Sequence, residues 1–246
     1  MLRSSLLLFA ATCFQEVYSQ SDRITAATCW FGPTAKGVYI KQVEFSMRLN
    51  PPPMIKKKPG GVALRLAISR DPTGNGDFPD TIQSVAMHDK EQAACESQEN
   101  TWCLFTNEYH SLPGRTQTVG KVIPWHGGLL KIKYYEDFKA RTWNQTITDP
   151  RTGRVLSQLA TPLTDRNMAM RGIGAAVIMM DCANPVVKAH SYHDIKITLS
   201  SPDSEFAKTK HENNCNFKKL RTPDRGHTWD VNAIFVNQVG GGKVTC

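Results

Sequence analysis

Apolar and polar residues alternate along this chain with the two-residue period of strands, in many short stretches. Between positions 38 and 49, Tyr39, Val43, Phe45, Met47 and Leu49 share one face, and Gln42, Glu44, Ser46 and Arg48 take the other. Asn50-Pro51-Pro52-Pro53 then ends pairing, because proline lacks the amide donor that a ladder needs. Positions 61–70 repeat the alternation, with Val62, Leu64, Leu66 and Ile68 inward and Arg65 outward. A glycine- and proline-rich loop follows over 71–80. Further strands are expected at 102–109, 128–138, 141–148, 154–159, 175–181, 193–199 and 228–236. In the stretch 141–148, Trp143, Gln145 and Ile147 lie on one face, which turns Asn144 to solvent. The segment 149–154 between two strands reads as a hairpin turn, and 90–99 as the one short helix. With no internal repeat and no long linker, the pattern predicts one all-β domain, a sandwich or jelly roll of antiparallel strands.

The ends change the compartment. Arg3, the apolar run Leu6-Leu7-Leu8-Phe9-Ala10-Ala11 and a polar stretch closing on Val17-Tyr18-Ser19 form an export leader. Cleavage is expected before Gln20, giving a signal peptide over 1–19 and a domain over 20–246. The leader's apolar core is about ten residues, too short to span a bilayer, and no later stretch approaches about eighteen. The tail Gly240-Gly241-Gly242-Lys243-Val244-Thr245-Cys246 has no hydrophobic end of the kind a lipid anchor requires. A secreted, extracellular protein without a transmembrane segment is therefore expected.

Export makes the cysteines disulfide candidates. With Cys13 in the leader, Cys29, Cys95, Cys103, Cys182, Cys215 and Cys246 remain, enough for three bridges of open connectivity. Cys95 and Cys103 bracket a short polar loop and form the easiest local pair, while a bridge at Cys246 would pin the tail. The absence of any Cys-x-x-Cys pair weighs against zinc. Asn144-Gln145-Thr146 is a glycosylation sequon, expected to be used. The formal net charge of +8, unchanged by loss of Arg3 and Glu16, points to acidic partners: uronic-acid polysaccharides, phospholipid headgroups or cell-wall anions. No nucleic-acid motif accompanies it.

A strand Leu129-Leu-Lys-Ile-Lys-Tyr-Tyr135 precedes Trp143-Asn-Gln-Thr-Ile-Thr-Asp149 and Thr152-Gly-Arg-Val-Leu-Ser157; Ala175-Ala-Val-Ile-Met-Met-Asp-Cys182 and His193-Asp-Ile-Lys-Ile-Thr-Leu199 follow. That order resembles the concanavalin-A-like secreted sandwiches of fungi and similar microbes, including the glutamic peptidases (eqolisins). The resemblance implies the fold. The family's peptidase chemistry places a Gln and a Glu across one sheet, whereas the strand resembling its glutamate strand holds only Asp181, at its end, and no matching glutamine motif lies upstream. The resemblance thus argues against the family's activity in this chain.

Candidate chemistry is sparse. An N-terminal copper-binding histidine is excluded by a mature start at Gln20 and a first histidine at His88. His190 and His193 sit three apart, on opposite faces of any strand, and His193 shares parity with Ile195, Ile197 and Leu199 as a hydrogen-bonded, half-buried residue would. Glycosidic cleavage needs paired acids, and the candidates are Glu44, Asp181 and Glu136, with no alternating acid triplet among them. Asp71, Asn75 and Asp77 echo a calcium loop, but Ile82 occupies the twelfth position where a bidentate Glu belongs; a turn is the preferred reading, and no metal or cofactor is assigned. No Gly-x-Ser-x-Gly elbow occurs.

The binding candidates are aromatic and basic. Of five tryptophans, Trp102 and Trp125 stand in loop-like contexts suited to stacking on sugars, while Trp143 and Trp229 read as core. Lys56, Lys57 and Lys58, with Arg65, suit an anionic chain. These features favour a protein that binds or processes extracellular carbohydrate, with an acidic or cell-wall polysaccharide first. The alternatives are a non-enzymatic secreted interaction protein or effector, and a diverged hydrolase of peptidase-like ancestry; sequence leaves enzyme status and oligomeric state open.

Overall fold

A computed structural model describes residues 23–56, 60–70, 80–89, 95, 100–110, 116–164, 169–181 and 183–242. In chain order the strands are β1 (Arg23–Phe31), β2 (Ile40–Leu49), β3 (Gly61–Ser69), β4 (Asp80–Asp89), β5 (Trp102–His110), β6 (Thr116–Val119), β7 (Ile123–Trp125) and β8 (Gly128–Asp137). They continue with β9 (Thr142–Thr148), β10 (Val155–Pro162), β11 (Gly172–Met180), β12 (His190–Leu199), β13 (Lys210–Asn213), β14 (Cys215–Arg221) and β15 (Thr228–Val236). The first sheet runs β13-β1-β11-β3-β4-β5-β6, with β7 also on β5; the second runs β10-β9-β8-β2-β12-β15-β14. The chain is an all-β antiparallel sandwich, as the alternation predicts. Among the described residues no helix is long and apolar enough to cross a membrane.

The core lies between the sheets. Val62, Leu64, Leu66 and Ile68 of β3 meet Val43, Phe45 and Met47 of β2, with Tyr134, Trp143 and Tyr192 among them. Two buried phenols cross the gap: Tyr134 Oη donates to the Leu66 carbonyl at 2.9 Å and Tyr192 Oη to the Arg65 carbonyl at 3.0 Å. Each satisfies its own hydroxyl while fixing one sheet over the other. Burial pushes the hydroxyls of both far above the ordinary phenol range.

Period two holds wherever one face meets solvent. In β9 the buried Trp143, Gln145 and Ile147 alternate with half-buried Thr142, Asn144, Thr146 and Thr148. It fails where a bulge resets parity. Thr198 pairs with Gln42 but Leu199 with Ile40, so Ile40 enters the core and Tyr39 stays half-exposed, against the expected facing. A second shift between His193 and Lys196, with Asp194 at φ 53°, puts Ile195 in the core and leaves His193 outside. His193 therefore lacks the parity with Ile195 that the sequence suggests, and Ser191 Oγ lies 2.6 Å from its Nε2.

Trp102 opens β5 as the expected strand 102–109 has it, and Trp125 is corrected from loop to strand; neither ring stands in the loop-like setting suited to stacking on sugars. They pair with each other across β5 and β7 and are 2% and 9% exposed. Trp102 Nε1 donates to the Asn50 carbonyl at 2.7 Å. Trp143 and Trp229 are buried, as expected. Strands β1, β4, β6, β7, β13 and β14 go beyond those expected; every residue of β4 from Thr81 to His88 is buried, so no polar face marks it.

Cys95–Cys103 is bridged as the spacing suggests. Cys29–Cys215, separated by 186 residues, ties β1 of the first sheet to β14 of the second. The leader 1–19, most of the helical segment 90–99, the calcium-like Asp71, Asn75 and Asp77, Lys57, Lys58, Cys182 and Cys246 lie outside the described residues.

Candidate functional site

The outer face of the first sheet presents the amides of Gln83 and Asn107 away from the core. Because Val62 and Leu64 of β3 point inward, Ala63 and Arg65 point outward. On that face Ala63, Val85, Met87, Phe105 and Met180 form a second, smaller apolar cluster, with Val119, Val122 and Ile178 packed on it. A shallow groove of about 50 Å³ lies over the cluster: Ala63, Val85, Phe105, Ile178 and Met180 line it together with Arg23, Arg65, Gln83, Asn107, Gln117 and Tyr109. None of the described residues lining it is a carboxylate.

One cross-strand row sets its geometry. His211 of β13 pairs with Trp30 of β1, Trp30 with Gly174 of β11, Gly174 with Ala67 of β3, Ala67 with Gln83 of β4, and Gln83 with Asn107 of β5. The small pair Gly174–Ala67 thus separates an aromatic flank from an amide flank. Trp30 and His211 stack, with ring centroids 5.9 Å apart and planes 22° from parallel. Gln83 Nε2 donates to Asn107 Oδ1 at 2.5 Å, and Asn107 Nδ2 donates to the Thr118 carbonyl at 3.3 Å. Gln83 Oε1 and Trp30 Nε1 are buried without a hydrogen-bond partner. At the Tyr109 end, His110 is held between Asp80 (Nδ1 to Oδ1, 3.0 Å) and Glu108 (Nε2 to Oε1, 3.2 Å).

The carboxylates singled out from sequence do not converge. Glu44 lies on the outer face of the second sheet, 2.8 Å from Lys133 Nζ. The hydrogen bond from Lys133 holds its carboxyl below the ordinary range; burial opposes this, and the charges of Lys133, Lys131 and Lys196 reinforce it. Glu136, near the end of β8, is raised by burial against the pull of Lys41, and its Oε2 has no partner. Asp181 follows β11 in the other sheet, at φ 54°.

The remaining candidates separate too. Arg65 lines the groove, whereas Lys56 lines a different hollow with Met54, Ile55 and Val186. His190 is buried, with Nδ1 3.3 Å from the Lys188 carbonyl, and burial pushes its imidazole down to about 4. With His193 outside, the two histidines share no ligand. Among the described residues no group of three His, Cys, Asp or Glu side chains is placed to hold a metal ion. Asn144 is half-buried on the outer face of the second sheet, its Nδ2 donating to Thr142 Oγ1 at 3.0 Å.

Sequence reading passes over Gln83, Asn107, Tyr109 and Gln117, and counts Trp30 among the tryptophans without marking its position. The one available signal is Gln83 beside the apolar run Val85-Ala86-Met87; Asn107 and Gln117 are flanked by polar residues and carry none.

No family model and no curated protein sequence matches the chain. In shape it is similar to scytalido-glutamic peptidase, solved with a transition state analog inhibitor (TM-score 0.49, 10% identity, covering 87% of this chain and 99% of that one). It is likewise similar to SCP-B, a member of the eqolisin family solved with the tripeptide Ala-Ile-His (TM-score 0.47, 10% identity, 87% and 99% covered). A third likeness is to basic winged bean lectin with Tn-antigen (TM-score 0.30, 9% identity, 90% and 78% covered). The antiparallel two-sheet sandwich is itself the fold that the sequence resemblance implies.

Proposed function

We propose that this protein is a secreted glycoprotein whose first sheet binds an extended, acidic extracellular polysaccharide along its outer face. The observation that carries the reading is the groove itself: two arginines, three amides and a phenol around an apolar floor of Ala63, Val85, Phe105, Ile178 and Met180, with no carboxylate among its described lining residues. Amides and phenols exchange hydrogen bonds with sugar hydroxyls, and guanidinium groups pair with uronate carboxylates in a two-point geometry. Gln83 Oε1 is buried and unpartnered, so a small turn of that side chain toward the groove would let it accept from a ligand hydroxyl without its oxygen giving up a bond. Trp30 supplies a flat apolar ring at the far end of the row, beyond Gly174 and Ala67.

The described residues lining the groove include no acid to protonate a leaving group, which favours binding over cleavage. The experiment is retention of the secreted protein on neutral and uronic-acid polysaccharides, with mass spectrometry of any products. Retention on the acidic chains without new oligosaccharides supports the reading. New oligosaccharides would replace it with a hydrolase, and no retention would move a protein partner to the front.

A further inference from the structure

We propose that the connections β2–β3 and β11–β12 together form a tip that docks the protein onto an anionic lipid surface, independently of the groove. Met54 is 79% exposed and Val186 46% exposed, the first being the most exposed large apolar side chain among the described residues. The two line one hollow with Pro51, Pro52 and Pro53, and a second with Ile55, Lys56 and Pro185, so they belong to a single apolar patch. Lys56 and Lys188 stand exposed at its rim. No described residue lining either hollow is acidic.

The tip is held from beneath. Asn50 Nδ2 donates to the Ala189 carbonyl at 2.8 Å, joining the two connections, and the Asn50 carbonyl accepts from Trp102 at 2.7 Å. Ile55 is buried, and Val187 bridges to Val239. Three consecutive prolines restrict the backbone that presents Met54. A supported apolar knob with Lys56 and Lys188 at its rim matches the boundary between headgroups and acyl chains, where apolar side chains enter and ammonium groups meet phosphates. A hydrated polysaccharide would use the lysines and leave Met54 without a role. The apolar component therefore selects lipid over glycan as the occupant.

The test uses the secreted protein with phosphatidylserine–phosphatidylcholine vesicles, pure phosphatidylcholine vesicles and soluble polygalacturonate. Sedimentation with the anionic vesicles is expected, weakened by salt and absent with pure phosphatidylcholine. Met54→Asp should lower vesicle partition more than tenfold while leaving polygalacturonate binding and the thermal midpoint unchanged. Lys56→Glu should lower partition by about tenfold, since one lysine contributes about fivefold and its reversal more. Met54→Trp should give a blue-shifted emission with anionic vesicles. Failure of the protein to sediment, Met54→Asp binding as tightly as the parent, or an unshifted Met54→Trp spectrum would each overturn the proposal. Loss of polygalacturonate binding in Met54→Asp would overturn it as well, by making the tip a glycan site; failure of the groove alone would leave vesicle binding intact.

Discussion

Gln83 and Asn107 stand directly opposite each other on β4 and β5, and the Gln83 amide donates to the Asn107 carbonyl oxygen at 2.5 Å. The contact uses one half of each side chain. The other half of Gln83, its carbonyl oxygen, is a buried acceptor with nothing to accept. Such a group costs stability unless something else donates to it.

Gln83→Met keeps the length and removes that orphan, but it also strips the buried Asn107 Oδ1 of its donor, so one orphan replaces another and stability should fall by about 1 kcal/mol, the worth of the lost hydrogen bond. Affinity for an acidic polysaccharide should fall about tenfold, the worth of one hydrogen bond to a ligand hydroxyl. Denaturant melts and affinity retention measure the two effects separately. A large loss of stability with unchanged affinity would mean the amide serves the fold alone.

The disulfides differ in what they close. Cys29–Cys215 spans 186 residues and Cys95–Cys103 only 8. Chain-entropy reasoning assigns about 5 kcal/mol to the long bridge and about 2–3 kcal/mol to the short one. Replacing both cysteines of each pair by serine should reproduce that order in denaturant midpoints.

His190 makes the fold sensitive to mild acid. Its imidazole is pushed down to about 4 from an ordinary value near 6.5. Between those values the unfolded chain binds a proton that the folded chain refuses, so stability falls as pH drops through the window. The full loss is about 3 kcal/mol, reached near pH 4. His190→Gln should flatten that part of the stability curve. Glu136, raised by burial, acts in the opposite sense: its contribution is lost as pH climbs past the ordinary carboxylate range.

Across the second sheet, charges alternate in one row. Arg221 of β14 pairs with Asp230 of β15, Asp230 with Lys196 of β12, Lys196 with Glu44 of β2, and Glu44 with Lys133 of β8. Lys196→Glu would set three like charges side by side. It should cost about 1 kcal/mol at low salt, and added salt should recover part of it.

The sequence reveals those strands that keep one face in water. β2 and β9 show alternation because Glu44, Arg48, Asn144 and Thr146 line solvent faces while Phe45 and Trp143 line the core. β4 hides, because a satellite apolar cluster covers its outer face and erases the polar half of the pattern. The groove hides for the same reason, since Gln83 sits inside that strand. Trp102 misleads by its place at the very start of a strand, beside the loop that Cys103 closes, and Trp125 by its Pro124-Trp125-His126-Gly127 run, yet both rings belong to the core. The bulges near Lys41 and Asp194 shift parity by one residue, a change that period-two reasoning has no means to register.

The alternating row has a use apart from stability. A strand that slips by two residues keeps every side chain on its proper face, so the apolar core hardly distinguishes the slipped pairing from the native one. In this sheet such a slip of β12 would carry Lys196 from between two carboxylates to a place opposite Ser46 or Gln42 on one side and Asn232 or Thr228 on the other. Charge order thus proofreads alignment where hydrophobicity is blind to it, and the surface of the second sheet helps to decide which of several equally greasy arrangements the chain accepts.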